Sequence, residues 1–210
     1  MKRTFPLLAL LLASALAFPA HSSAASVVGL WKMDETSGQV ATDSSGYHND
    51  GALKDVTLEG DAYSFNGSSS RVLVPSDGSL NPGAGDISIT VEVNFPSIHI
   101  HDYDLLRKGG DGQLYKIEIA RTGKARCQFH GTDRDDGLVF GPNLADGQWH
   151  TITCTKTASR ISGTVDGHTA THAATIGSIS NGTALSFGGK SSGTQDLYRG
   201  LMRNVSIAIG

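Results

Sequence analysis

The sequence has 210 residues, of which 39% are hydrophobic, with 17 basic and 20 acidic residues and a formal net charge of −3. This length is enough for a single domain with one substantial core. The mixed, mildly acidic charge argues against nucleic acid and anionic lipid as partners, and no apolar stretch is long enough to span a bilayer.

The first 25 residues have the organisation of a secretory signal peptide. Lys2 and Arg3 give a basic start, residues 7–17 are apolar, and small residues at the end offer a cleavage site. We therefore predict a signal peptide over residues 1–25 and a secreted, extracellular domain over residues 26–210. Without the two basic residues of the signal, 15 basic and 20 acidic residues leave a formal charge of −5.

Short runs with strand alternation follow one another along the chain. The clearest is Ile87 to Phe95, in which every second residue is apolar and after which Pro96 ends the run. Further strands are predicted over residues 27–34, 63–66, 71–74, 104–108, 115–120, 125–130, 185–189 and 201–209. No segment has a helical period. Short strands at regular spacing predict an all-β sandwich or jelly roll.

A central hairpin is predicted between the turn dipeptides Asp146-Gly147 and Asp166-Gly167. In its first strand, Ile152 and Cys154 share one face, which we expect to lie against the core. Trp149 stands at the start of that strand, where a large ring can close the end of a sandwich. We expect the other strands to pack on this hairpin.

The two cysteines, Cys127 and Cys154, are predicted to form a disulfide. Their number is even, and the chain is expected to be exported to an oxidising compartment. Each is in phase with the inward residues of its strand, so we expect a bridge between neighbouring strands. A catalytic thiol is the alternative, but no basic residues are arranged around either cysteine in the sequence.

An ordered series of motifs resembles laminin-G-like jelly-roll domains of the concanavalin A-like lectin/glucanase superfamily. The motifs are Trp31 to Gly38, Asp43 to Gly51, Phe65 to Pro75, and Asp146 to His150 leading to Val165-Asp166-Gly167. The resemblance covers essentially the whole chain after residue 25. It implies two antiparallel sheets, with a ligand held on a concave face or at a loop rim. It does not imply which ligand, because the superfamily includes lectins, adhesive modules, glycosidases and lyases.

Catalysis finds limited support among the residues. Glycosidases of this superfamily place several carboxylates on one strand face, whereas Glu118 and Glu92 each stand alone on a strand. A polysaccharide lyase acting on a uronic-acid polymer is the enzymatic alternative. It would use His130 or Tyr115 as the base, with Arg107 and Gln128 neutralising the uronate carboxylate.

A calcium site is predicted at the loop that contains Asp43, Asn49 and Asp50. These residues offer the hard oxygen ligands that Ca²⁺ prefers. The resemblance implies a calcium ligand from an acidic residue of the last strand, but Arg203 and Asn204 stand there in this chain. The alternative is that Asp43 caps its loop through hydrogen bonds to nearby backbone amides.

Together these observations predict a secreted, non-catalytic binding module whose ligand is a polysaccharide or another glycan. A protein-adhesion module that contacts a cell-surface protein is a further alternative. The candidate ligand-binding residues are His99, His101, Tyr103, Arg107, Gln128 and His130. We expect an exposed aromatic ring near them, since sugars stack on such rings.

Overall fold

The computed structural model describes residues 24–97, 101–110, 112–193 and 195–210. The signal-peptide prediction therefore lies almost wholly outside the described residues. The described ranges contain strands and one short 3-10 helix, Gly78–Leu80, and none of them has a helix able to cross a bilayer. The strands are β1 Ser26–Trp31, β2 Val40–Ala41, β3 Gly51–Lys54, β4 Thr57–Leu58, β5 Tyr63–Asn66, β6 Arg71–Val74, β7 Ile87–Asn94, β8 Tyr103–Lys108, β9 Leu114–Ile119, β10 Ala125–His130, β11 Asp135–Phe140, β12 Trp149–Lys156, β13 Arg160–Val165, β14 His168–Ala173, β15 Leu185–Phe187 and β16 Arg199–Ile209.

The strands form two antiparallel sheets that pack face to face. In sheet A the order is β14-β13-β12-β7-β16-β5-β4, with β1 also paired to β16. In sheet B the order is β11-β10-β9-β8-β15-β6-β3-β2. This arrangement confirms the predicted all-β fold class, a two-sheet antiparallel jelly-roll sandwich.

Strand β7 shows why the sequence folds in this way. Its apolar residues, Ile87, Ile89, Val91 and Val93, are all buried, while the residues between them are half-exposed on the outer side of sheet A. On that outer side the hydroxyl groups of Thr90 and Thr153 lie 2.9 Å apart across the β7/β12 pair. Alternation thus separates a buried face from a hydroxyl-lined one.

The core contains two groups of aromatic rings. The rings of Trp31 and Phe187 meet edge to face, with centroids 4.9 Å apart. At one end of the sandwich Phe65, Phe95, Tyr103 and Tyr198 form a second group, with centroid distances of 5.5 to 6.1 Å. Burial of each such side chain contributes on the order of 2 kcal/mol. The second group lies directly beneath a surface hollow described below.

The predicted disulfide between Cys127 and Cys154 is confirmed, with a Cα–Cα distance of 5.6 Å. The expectation of neighbouring strands is wrong, because Cys127 lies on β10 of sheet B and Cys154 on β12 of sheet A. The bridge therefore joins the two sheets. Gly163 allows their close approach here, since a Cβ atom at this position would lie 2.4 Å from the ring of Phe140.

The prediction that Trp149 closes the end of the core is also wrong. Its ring is half-exposed on the outer side of sheet A, where the guanidinium carbon of Arg203 lies 4.1 Å from the ring centroid. The buried face of β12 holds Ile152 and Cys154. Trp149 lies on the other face, together with Thr151 and Thr153. The period of two places it outside.

Candidate functional site

Five charged side chains lie together on the outer side of sheet B, and we call them the charged face: Asp104, Arg107, Lys116, Glu118 and Arg126. Cross-strand register brings them together from three strands. Asp104 of β8 stands opposite Glu118 of β9, which stands opposite Arg126 of β10, and Arg107 stands opposite Lys116. Glu118, which stands alone on its strand in the sequence, therefore has Asp104 as a cross-strand neighbour, whereas Glu92 lies on β7 of sheet A.

Each acid of the charged face is paired with two basic side chains. The Lys116 ammonium donates to Glu118 and lies 3.5 Å from Asp104 Oδ1. Arg126 Nη1 donates to Glu118 Oε1 at 2.9 Å, and Arg107 Nη1 lies 3.5 Å from Asp104 Oδ2. The face is thus a closed network of alternating charges.

The carboxyl groups of this network are inaccessible. The side chains of Asp104 and Glu118 are 0% and 2% exposed. Burial raises the pKa of Asp104, although Lys116 and Arg107 act in the opposite direction. A carboxyl group must reach its substrate to act as an acid, a base or a nucleophile. These two are therefore placed to stabilise the sheet and not to perform chemistry on a bound ligand.

The structure brings only some of the predicted ligand-binding residues together. Arg107 and Gln128 lie on the outer side of sheet B with Lys116 between them, and His130 lies further along β10. The side chain of His101 is exposed beside Arg121 and Asp196, and Tyr103 is 1% exposed and belongs to the core. His99 lies outside the described residues.

The polar groups of Arg107 and Gln128 are largely occupied by other protein atoms. Arg107 donates from Nε to the Gly109 carbonyl at 3.0 Å and from Nη2 to the Gly110 carbonyl at 3.1 Å. Gln128 Nε2 donates to Asp135 at 2.9 Å. Ligand contacts by these residues stay a prediction, and only a few of their hydrogen-bonding positions remain open for it.

The prediction that Tyr115 could serve as a lyase base is wrong. Its side chain is 0% exposed, and its hydroxyl donates to the Leu80 carbonyl at 3.0 Å inside the core. Burial also raises the pKa of Tyr115, which further disfavours its deprotonated form. Lys116 and Glu118, its neighbours on β9, take the outer side of the sheet instead. The lyase alternative keeps only His130 as a base.

The aromatic ring expected near these residues is not found there among the described residues. Tyr103, Tyr115 and Phe129 are all buried in the core. The half-exposed ring of Trp149 lies on sheet A, on the opposite side of the sandwich. This location directs attention to sheet A as a binding surface.

At the predicted calcium loop, the Asp43 carboxylate accepts hydrogen bonds from four protein donors. Its Oδ1 accepts from the Leu30 and Ser45 amides, and its Oδ2 accepts from the Ser45 hydroxyl and the Asn49 amide, all at 2.8 Å. The Asn49 side chain donates to the Val28 carbonyl at 2.9 Å, and Asp50 Oδ1 accepts from the Asp43 amide at 2.8 Å. These are the hydrogen bonds of a loop cap.

Asp43 therefore does not fit the role of a calcium ligand, because its four acceptor positions are already used. The described residues contain no group of three or more His, Cys, Asp and Glu side chains arranged to hold a metal ion. Asp50 Oδ2 has no hydrogen-bond partner among the described residues, and Asp50 lines a hollow together with His48 and Asp77. Calcium at this loop stays a prediction, with a test given in the Discussion.

Another hollow lies on the outer side of sheet A, and we call it the Arg199 hollow. Its volume is about 380 Å³, and it is lined by Ser64, Phe65, Asn94, Pro96, Ser97, Arg199, Gly200 and Leu201. Ser64 of β5, Leu201 of β16 and Asn94 of β7 are register partners and form its floor. Trp149 of β12 is the next register partner beyond Asn94.

The polar groups of this hollow are open. Arg199 is exposed, and within the described ranges no carboxylate lies within ion-pairing distance of its guanidinium. The Asn94 amide nitrogen donates to the Gly147 carbonyl at 2.9 Å, and its side-chain oxygen has no hydrogen-bond partner among the described residues. Leu201 and Pro96 supply apolar surface between these groups. Open polar groups beside apolar ones are typical of small-ligand sites.

A buried tyrosine holds the floor of the hollow in place. The Tyr198 hydroxyl donates to the Leu201 carbonyl at 2.8 Å and to the Asn94 carbonyl at 3.2 Å. Gly200 allows this approach, because its φ is +153° and a Cβ atom there would lie 2.5 Å from the Tyr198 hydroxyl. Since Tyr198 is part of the aromatic group in the core, the floor is preorganised.

Sequence reasoning missed the Arg199 hollow, because its residues come from three separate strands. Ser64, Asn94 and Leu201 are distant in the chain and meet only through the β5-β16-β7 register. The one local signal is the Tyr198-Arg199-Gly200 sequence. It places a glycine where a strand must accommodate a large ring.

The fold and the two outer faces define a jelly-roll sandwich with a ligand-sized hollow on sheet A and buried, paired acids on sheet B. A family model of the concanavalin A-like lectin/glucanases superfamily, of laminin G type, matches residues 66–208. The chain belongs to this superfamily, which confirms the resemblance seen in its motifs. No relative among curated proteins matches the sequence.

Solved structures with the same fold include three that are informative. The binding domain of Paraclostridial Mosquitocidal Protein 1 is 16% identical with a TM-score of 0.69. The match covers 87% of this chain and 48% of that structure. The binding domain of Botulinum Neurotoxin DC in complex with SialylT is 12% identical with a TM-score of 0.66, at 87% and 47% coverage. Mouse laminin alpha1 chain domains LG4-5 are 22% identical with a TM-score of 0.55, at 70% and 40% coverage. The chain thus spans about half the length of these structures.

Proposed function

We propose that the protein is a secreted, non-catalytic module that binds carbohydrate. The Arg199 hollow carries this proposal, because it offers a guanidinium with no ion pair in the described part of the chain, together with an amide oxygen and a hydroxyl around apolar side chains on a preorganised floor. Sugars combine hydroxyl groups with apolar C–H faces, so they match such a mixed surface. Its volume of about 380 Å³ suits one or two sugar rings of a longer glycan.

The absence of catalysis in this proposal rests on the charged face. Its acids, Asp104 and Glu118, are buried and paired with basic side chains. Glycoside hydrolysis needs two carboxyl groups that flank the bond to be broken. We therefore assign the charged face a structural role and the Arg199 hollow the binding role.

Related structures support a binding role. Two of the three described above are named as binding domains, and one of these is in complex with SialylT. Their identity to this chain is 16% or less. The complex with SialylT therefore serves only as support for glycan as the ligand class. Secretion is supported by the signal-like residues 1–25 and by the disulfide, which persists in oxidising compartments.

The proposal is tested by a glycan array and by pull-down on a polysaccharide panel, both with the folded, disulfide-bonded protein. We expect retention on a subset of glycans and no cleavage. Uronic-acid polymers should show no rise in near-ultraviolet absorbance, which a lyase would produce. If the array and the panel are uniformly blank, carbohydrate binding is wrong and a protein-adhesion role takes its place.

The same panel locates the site. Gln128→Ala combined with His130→Ala removes two predicted ligand-binding side chains from sheet B, while Arg199→Ala alters only the hollow on sheet A. We expect the first variant to bind as the natural protein does and the second to lose retention. The reverse result would place the ligand on sheet B, as predicted from the sequence.

A further inference from the structure

We infer that the Arg199 hollow binds a sugar that carries a carboxylate, as uronic and sialic acids do. This inference rests on the proposed carbohydrate-binding function and names the ligand class of the same hollow. Its starting point is the contrast between two arginines of β16: Arg203 pairs with Asp61 and Glu92, whereas Arg199 has no carboxylate within ion-pairing distance among the described residues.

Four acids on the outer side of sheet A and at the end of β12 contact basic side chains other than Arg199. On the outer side of sheet A, Glu92 accepts from Arg203 Nε at 2.8 Å, and Asp61 lies 3.5 Å from Arg203 Nη1. At the end of β12, Asp146 and Asp166 both pair with His150. Among the described residues, Arg199 is left without a carboxylate partner at the edge of the hollow.

The chemistry of arginine favours a carboxylate as the missing partner. A guanidinium presents its N–H groups as a planar fork that matches the two oxygens of a carboxylate. A neutral sugar would leave that charge without a counter-ion. Polyanions such as nucleic acid fit poorly, because the hollow supplies a single unpaired cation and the chain has a net charge of −3.

The other lining groups suit the rest of a sugar ring. The side-chain oxygen of Asn94 accepts from a hydroxyl group, and the Ser64 hydroxyl both donates and accepts. Leu201 lies between them on the floor and offers apolar contact to the C–H groups of the ring. One carboxylate, two hydroxyls and one apolar face together describe a carboxylated pyranose.

The position of Arg199 is fixed by its neighbours as well. Its side chain packs against Gly67, where a Cβ atom would lie 2.8 Å from the Cβ of Arg199. Gly67 has a φ of +74°, in the region that favours glycine. The adjacent Gly200 and Tyr198 hold the start of β16. The guanidinium thus extends from a rigid base, which lowers the entropic cost of binding.

Calorimetric titration of the folded protein tests the inference with three probes: methyl glucuronoside, methyl sialoside and neutral methyl glucoside. We expect one or both carboxylated probes to bind at least about tenfold more tightly than the neutral one, because charge-assisted hydrogen bonds are lost without the carboxylate. The methyl ester of the preferred probe should fall to the neutral level. Comparison of the two carboxylated probes distinguishes a uronic from a sialic acid.

Three variants complete the test. Arg199→Ala should weaken the preferred probe about tenfold or more, and Arg199→Lys should restore only part of the affinity, because it keeps the charge but not the fork. Arg160→Ala is the matched control, since Arg160 is exposed on β13 of the same sheet and has no ion pair within the described residues. It should bind as the natural protein does.

Two outcomes overturn the inference in distinguishable ways. If glycans are retained on the array but Arg199→Ala or the methyl ester leaves affinity unchanged, carbohydrate binding stands and the carboxylate assignment is wrong. If no glycan is retained at all, the proposed function fails and this inference fails with it. Unchanged melting temperatures for Arg199→Ala and Arg160→Ala confirm that the variants are folded.

Discussion

On the outer side of sheet B the acids of the charged face are buried and paired with basic side chains, whereas on the outer side of sheet A Arg199 faces a hollow without an acid. Both surfaces are built from strands of one sandwich, and both carry polar residues at alternate positions. The difference shows that polarity on a sheet face does not identify a binding site. Polar groups without a protein partner identify it better, because they can exchange water for a ligand.

The strongest test of this comparison breaks the charged face. Glu118→Gln should lower the free energy of unfolding by about 3–5 kcal/mol, because Lys116 and Arg126 would lose their shared counter-ion in a largely buried setting. Chemical denaturation measures this loss. Glu59→Gln is the control, since Glu59 is exposed and unpaired among the described residues, and its cost should stay below about 0.5 kcal/mol. Equal costs would contradict a structural role for the charged face.

The disulfide holds the two contrasted sheets together. Replacing both Cys127 and Cys154 by Ala should lower the free energy of unfolding by about 2–4 kcal/mol, since the bridge closes a loop with a sequence separation of 27. Strand pairing within each sheet should persist, because no ladder depends on the bridge. Circular dichroism and denaturation of the variant measure both effects. Two free thiols in unreduced, denatured protein would show that the bridge is absent.

The loop cap at Asp43 provides a second structural carboxylate for comparison. Asp43→Ala should cost about 2–3 kcal/mol, because it leaves buried backbone amides without acceptors. The melting curve should be the same with chelator and with millimolar calcium. A calcium-dependent gain of about 2.7 kcal/mol, the value expected at 100 times Kd, would instead establish the metal site predicted from the sequence.

A smaller, pH-dependent effect is expected beside the Arg199 hollow. Burial lowers the pKa of His150, but hydrogen bonds to Asp166 at 2.8 Å and Asp146 at 3.1 Å outweigh it and raise the pKa above its usual value. The folded state therefore favours protonated His150. Its contribution to stability is full below the unfolded pKa of about 6.5 and is lost as the pH rises through the folded pKa.

His150→Gln should accordingly lose more stability at about pH 5.5 than at about pH 8.5. Melting curves at the two pH values measure the difference. His48→Gln serves as the control, because His48 is exposed and has no ion pair within the described ranges. A similar pH dependence for both variants would contradict the role of the two carboxylates.

The fold was largely predictable from the sequence, but for several strands the face of the sheet on which each side chain lies was not. Strand β7 has one apolar side, so alternation alone placed its residues correctly. Strand β9 is buried on both sides, so alternation could not show that Tyr115 faces the core and Glu118 the charged face. Strand β14 was missed because its residues are polar or small on both sides and almost all exposed. Alternation of apolar and polar residues predicts the face of each side chain only where one side of the strand is buried and the other is exposed.

The binding hollow was not predictable, for a different physical reason. Local patterns report on neighbours in sequence, whereas Ser64, Asn94 and Leu201 meet through long-range register. The same holds for Glu118, which stands alone on its strand in the sequence and has Asp104 as a cross-strand partner in the structure. Residue types suggested a polar surface on sheet B. Only the pairing showed that its charges are already satisfied.

The central claim is that a glycan binds the Arg199 hollow and not the charged face. The most direct measurement is a titration of isotopically labelled protein with methyl glucuronoside or methyl sialoside, followed by amide chemical shifts. We predict that the amides of Ser64, Asn94 and Leu201 shift together and saturate, while those of Lys116 and Gln128 stay unchanged. Saturating shifts confined to Lys116 and Gln128, or no shifts at either surface, would contradict the claim.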